Sequence, residues 1–152
     1  MASENIELQF SAALDSLEAL SVALHQFVEP LSLEPAIVYQ ADLAASEALT
    51  NIVRHGVNHD NNQYINVRFS YDGSRLTMTL IDRGKQIPAD ILSALSHAPR
   101  MFPNPEVQES WPENGIGLIL IYSMMDEVYY RSSEGSNELT LIKNTTASPA
   151  GQ

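Results

Sequence analysis

The sequence predicts an α+β fold, a two-layer α/β sandwich in which helices cover one face of a mixed, mostly antiparallel sheet. Three observations point to it. Short runs alternate apolar and polar residues as half-buried strands do, two longer runs repeat apolar residues at helical spacing, and strict β-α-β alternation is largely missing. With 152 residues, 44% of them hydrophobic, positions 1–143 suffice for a single packed domain. The polar segment 144–152 reads as a flexible tail.

Ile6, Leu8 and Phe10 alternate with Glu7 and Gln9, which predicts a short strand, possible at a sheet edge. Leu14, Leu17, Leu20, Val22, Leu24 and Phe27 then recur at helical spacing until Pro30 ends the pattern. Ser32-Leu33-Glu34-Pro35 reads as the start of a second helix, with Ser32 as its cap and Pro35 in its first turn. Its apolar stripe runs from Ile37 through Ala41, Ala44, Ala45 and Ala48 to Ile52 and Val53, and Gly56 ends it. Tyr64–Tyr71 and Leu76–Ile81 read as strands joined by an Asp72-Gly73-Ser74 turn. A short helix over 89–95 and a proline-rich loop over 99–112 follow, the loop long enough to suggest function. Asn114-Gly115-Ile116-Gly117 opens a helical run to Met125, and Glu127–Arg131 and Glu138–Lys143 read as the last strands.

Nineteen acidic against eight basic residues give a formal net charge of −11, which repels a phosphate backbone and favours basic partner segments. Direct nucleic-acid binding is not expected. The absence of cysteine excludes disulfides, thiolate zinc sites and a cysteine nucleophile. The apolar runs are too short for a membrane span, and Met1–Asn5 lacks the features of a signal peptide, so a cytoplasmic protein is expected.

Three constellations carry chemistry. Glu47 and Asn51 stand four apart on the second helix and share a face, where a carboxylate and an amide oxygen can hold a hydrated magnesium ion and orient or deprotonate a hydroxyl. Such a pair is also an ordinary solvated helix edge. Asp82 follows an apolar strand, with Gly84 two residues on; a carboxylate there can accept from an adenine amino group, and an Asp-x-Gly turn is the plain alternative. Asn114-Gly115-Ile116-Gly117-Leu118 leads into a helix whose first N–H groups attract phosphate, although many glycine-bearing helix starts bind nothing. No Gly-Lys-Ser/Thr follows, so this is not a Walker loop.

In this order the constellations resemble the N box, G1 box, lid and G2 box of the GHKL (Bergerat-fold) ATPases, over residues 33–143. The phrase Ala45-Ser46-Glu47-Ala48-Leu49-Thr50-Asn51-Ile52-Val53-Arg54-His55-Gly56 is similar to the N box of the bacterial anti-sigma-factor serine-protein kinases, as is the run from Gly117-Leu118 to Met125-Asp126-Glu127-Val128.

The resemblance implies a histidine-kinase-like ATPase fold that uses ATP and Mg²⁺. It makes Glu47 the general base on a partner serine and Asn51 the Mg²⁺ ligand, gives adenine to Asp82 and Gly84, and wraps the phosphates with Gly115, Ile116, Gly117 and Leu118. Arg54 and His55 are added on the nucleotide side, Lys85 and Arg100 are further candidate phosphate-neutralising charges, and 99–112 becomes the lid. The partners implied are a STAS-domain anti-anti-sigma factor as phosphoacceptor and a sigma factor, with room for a homodimer through the edge at Ile6, Leu8 and Phe10. A nucleotide-gated partner-binding module with little or no kinase activity is the alternative.

Two positions depart from the family pattern. Gln86 replaces a G1-box glycine, and Gly135-Ser136-Asn137-Glu138 stands where a Gly-Thr usually helps hold adenine. His55 and His59, four apart across Gly56, read as a surface pair more readily than as a metal site. Trp111 is open to clamping a ligand or to plain local packing.

Overall fold

Alternating apolar positions can be buried only if each strand keeps one side against a core, and five strands do so in a computed structural model that describes residues 4–56, 63–87 and 113–145. They are β1 (Glu4–Ser11), β2 (Tyr64–Tyr71), β3 (Arg75–Asp82), β4 (Glu127–Ser133) and β5 (Ser136–Asn144). The sheet order is β1-β2-β3-β5-β4, and every described pairing is antiparallel. Tight hairpins between β2 and β3 and between β4 and β5 impose that direction. The second hairpin lies with β5, not β4, against β3, so the last strand of the chain sits inside the sheet and β1 and β4 form its described edges.

Both hairpin turns follow from local chemistry. Asp72 Oδ1 accepts from the backbone N–H groups of Ser74 (3.0 Å) and Arg75 (2.8 Å), and Gly73 takes the positive φ of 100° that the turn requires. Those two N–H groups hold the Asp72 carboxyl below its ordinary pKa. Between β4 and β5, Glu134 and Gly135 have φ of 54° and 79°, the two left-handed residues of a tight hairpin whose twist matches that of the strands. The final strands are therefore longer than the sequence suggested, closing to Ser133 opposite Ser136.

Among the described residues, three α-helices lie on one side of the sheet: α1 (Leu17–Val28), α2 (Pro35–Asn51) and α3 (Glu113–Met124). The start of α2 corrects one sequence expectation. Ser32 adopts a left-handed conformation at φ 56°, closes the short 3₁₀ turn Glu29–Leu31 through its N–H to the Glu29 carbonyl, and does not cap α2. Glu34 is the N-cap residue, without a side-chain cap, and Pro35 begins the helix where a missing N–H costs nothing.

The central helix is α2, packed against both α1 and α3. Its buried residues include Ala41, Ala44, Ala45 and Ala48, small enough to let neighbouring elements approach closely. Leu20, Leu24 and Phe27 of α1, Leu118 and Ile121 of α3, and Ile65, Val67, Phe69, Met78, Leu80 and Leu141 of the sheet complete the core. Phe27 and Phe69 meet with ring centroids 5.8 Å apart, joining α1 to β2. The short helix expected over 89–95 and the loop over 99–112 lie outside the described residues.

If the alanine stripe sets the spacing of α2, Ala44→Leu should destabilise the protein by about 1–3 kcal/mol in urea unfolding, through overpacking. Ala36→Leu, on the exposed side of the same helix, should change stability by less than about 0.5 kcal/mol. Equal effects at the two positions would contradict this packing.

Candidate functional site

The end of α2, the end of β3 and the first half of α3 meet around a cavity of about 240 Å³. Asn51, His55, Asp82 and Leu118 line it together, so four residues singled out in three separate sequence segments share one space. Ala48, Ile52 and Leu139 form part of its apolar wall, Lys85, Gln86 and Ile87 come from the loop that leaves β3, and Tyr130 comes from β4.

The α2 end is not a regular helix. Ile52–Gly56 winds as a π-helical turn, and Asn51 and His55 both reach the cavity from this junction. The Asn51 Nδ2 atom is buried and, among the described residues, has no hydrogen-bond partner. A buried amide N–H group left unmade costs on the order of 1–3 kcal/mol, so its position suits a ligand oxygen acceptor. Among the described residues no group of three or more acidic or histidine side chains could hold a metal. Magnesium needs none, because it commonly takes one or two protein oxygens and fills its shell with phosphate and water. Asn51, on the cavity wall, offers one such oxygen in its Oδ1, whereas its Nδ2 is a donor and cannot bind a cation.

Asp82 is buried at 5% exposure, and burial raises its carboxyl pKa above the ordinary 3.8. Hydrogen bonds from the Asn137 side chain and the Gly84 N–H oppose that rise. Both donors engage Oδ1, at 3.0 Å from Asn137 Nδ2 and 2.7 Å from Gly84 N. An ionised carboxylate in this setting accepts from an exocyclic amino group and has nothing to donate to a carbonyl. The loop after it is tied at two points: Asn137 Nδ2 donates to the Gly84 carbonyl (2.8 Å), and the Ile87 N–H donates to the Tyr130 hydroxyl (2.9 Å).

Other expected residues fall at the margins. Glu47 is half-buried one turn before Asn51 and is not among the cavity-lining residues. Arg54 lies exposed in the π turn, also off the lining. Gly84 contributes through its backbone hydrogen bonds. Helix α3 begins at Glu113, so Gly115, Ile116 and Gly117 belong to its first turn and a half instead of preceding it. That turn carries the N–H groups left free by helix geometry, and Leu118 brings it to the cavity. His59, Arg100, Trp111 and the lid segment lie outside the described residues.

Sequence reasoning passed over Asn137 and Tyr130 as site residues. A signal for both existed: Asn137 shares strand parity with the core residues Leu139 and Leu141, and Tyr130 shares it with the core-packed Val128. A polar group on the core side of a strand demands a partner.

Because the folded protein holds the Asp82 proton more tightly than the unfolded chain, the wild type gains stability as pH falls through the raised value towards 3.8. Asp82→Asn should therefore melt at a higher temperature than wild type at pH 7. The difference should shrink to nothing near pH 4. A variant less stable than wild type at neutral pH, measured by thermal unfolding across this range, would contradict a desolvated carboxylate.

Comparison with known proteins agrees with this geometry. Residues 10–143 match the family described as the histidine kinase-like ATPase domain. Among curated relatives, an anti-sigma F factor of Geobacillus stearothermophilus is 28% identical over 138 residues, covering 91% of this chain and 90% of the relative. A serine-protein kinase RsbW of Bacillus cereus (strain G9842) is 29% identical over 136 residues, covering 90% and 82%. Among solved structures, the RsbU and RsbW domains of a Mycobacterium tuberculosis protein superpose with a TM-score of 0.65 at 16% identity, over 95% of this chain and 34% of that longer one. The SiaB-SiaC complex from Pseudomonas aeruginosa superposes with a TM-score of 0.59 at 13% identity, over 91% and 89%. With the family model matched over residues 10–143, most of its length, the chain belongs to the histidine kinase-like ATPases.

Proposed function

We propose that this protein is a serine-protein kinase of the anti-sigma-factor type, which binds Mg-ATP in the cavity between α2, β3 and α3 and phosphorylates a serine on a STAS-domain partner. The observation that carries the reading is the convergence of Asn51, His55, Asp82 and Leu118 on one cavity in a chain of this family. Relatives named as anti-sigma F factors and serine-protein kinases support the activity, and a fold neighbour solved as a two-protein complex supports partnership.

Mg-ATP, when bound, would supply the phosphoryl group: its γ-phosphorus bonds to the serine oxygen as the bond to the β-phosphate oxygen breaks, and ADP is the leaving group. The protein's own residues orient and hold. Asp82 would accept from the adenine amino group, and the Asn51 amide oxygen would be the protein's ligand to the metal. At the start of α3 the backbone N–H of Gly115, left free by helix geometry, would meet phosphate oxygens, with Ile116, Gly117 and Leu118 forming the rest of the phosphate side and Arg54 and His55 beside them. Glu47, one turn from Asn51, takes the proton of the partner's serine hydroxyl. A phosphoserine then adds negative charge against a protein of net charge −11, and the two separate, freeing the kinase to hold a sigma factor.

A second reading, a nucleotide-gated binding module without transfer, is favoured by one observation: Glu47 stands off the cavity lining. The two readings part on a single assay. With γ-labelled ATP, Mg²⁺ and a purified STAS-domain protein from the same organism, the wild type should label the partner. Glu47→Ala should cut the rate by about 10²–10⁴-fold while retaining ATP binding by calorimetry. Asn51→Ala should lose Mg-ATP affinity itself. Nucleotide binding without any transfer would favour the binding module, and transfer undiminished in Glu47→Ala would remove Glu47 from the chemistry.

A further inference from the structure

A row of three polar residues crosses the helix-facing side of the sheet at its end. Ser132 on β4 stands opposite Asn137 on β5, which stands opposite Asp82 on β3. Asn137 is only 2% exposed, and each end of its amide is engaged. Nδ2 donates to Asp82 Oδ1 and to the Gly84 carbonyl, while Ser132 Oγ donates to Oδ1 of Asn137 at 2.6 Å. Two acceptors on one side and a hydroxyl on the other fit one amide orientation. Turned over, Oδ1 would confront a carboxylate and a carbonyl.

The consequence falls on Asp82. Its Oδ1 receives two donors, from Asn137 and Gly84, and among the described residues nothing donates to Oδ2. Asp82 lines the cavity, whereas Asn137 and Ser132 stand behind it and do not. We propose that Asn137, oriented by Ser132, is the positioning residue that sets base selectivity: it occupies one Asp82 oxygen and leaves the other as a lone acceptor for a purine bearing a 6-amino group, where guanine carries a carbonyl. A carboxylate freed of this contact can turn about its terminal torsion, which is broad and two-fold, and either oxygen can then meet the base. The same amide grips the Gly84 carbonyl, so the loop following Asp82 moves with it. This inference rests on the nucleotide-site reading above and adds the device that sharpens it.

The test is calorimetry on the full chain with Mg-ATP and Mg-GTP, with folding of each variant checked by circular dichroism and thermal melting. The wild type should prefer ATP by at least about a hundredfold. Asn137→Ala should weaken ATP about tenfold and GTP little, so that the ATP-to-GTP ratio falls about tenfold. Asn137→Thr, which keeps one donor, should recover part of the ratio. Ser132→Ala, which leaves Asn137 in place but releases its orientation, should lower the ratio about threefold. A role confined to stability would weaken both nucleotides alike. A folded Asn137→Ala protein with the wild-type ratio overturns this proposal and leaves the nucleotide site standing; wild-type protein that binds neither nucleotide overturns both. Should Asn137→Ala fail to fold, the Ser132→Ala ratio decides in the same way.

Discussion

The arrangement of this molecule turns on one buried charge. Asp82 ends a strand whose helix-facing side is otherwise apolar, through Leu76, Met78 and Leu80, and a carboxylate at 5% exposure is unfavourable unless donors meet it. The donors come from elements remote in sequence, Asn137 on β5 and the backbone of Gly84. The β4–β5 hairpin must therefore lie with β5 against β3, in the register that sets Asn137 opposite Asp82. A one-residue slip would send Asn137 to the open face and strand the carboxylate without its amide.

The second constraint is distance. Placing Asn51 beside Asp82 requires α2 to lie close to the sheet and to α3, and four alanines on its buried side permit that approach. The π turn at Ile52–Gly56 then carries the chain past the cavity with His55 still on its wall. An amide nitrogen buried without a partner and a buried carboxylate with one oxygen uncommitted, both judged among the described residues, are poor choices for stability alone. They make sense as polar groups set for a ligand that complements both.

The fold was legible because its signals were periodic. Alternation in Ile6, Leu8 and Phe10 and the alanine stripe of α2 translate directly into a sheet edge and a central helix. The meeting of Asn51, Asp82 and Leu118 was legible only through the order of motifs, since no local rule brings three segments together. Two features escaped for physical reasons. Ser32 carries the side chain of a helix cap, yet the preceding 3₁₀ turn draws its backbone into a left-handed conformation. Asn137 reads as a departure from a family pattern, and its partners are fixed by strand register, which only the assembled sheet reveals. Glu47 also shows the limit of spacing: four residues from Asn51 places it on the same face, not on the cavity lining.

The most direct measurement is a crystal structure with Mg²⁺ and a non-hydrolysable ATP analogue. The account predicts adenine with its amino group within hydrogen-bonding distance of Asp82 Oδ2, and the metal bound to the Asn51 amide oxygen. Nucleotide bound elsewhere on the protein, or an adenine edge turned away from Asp82, would contradict it.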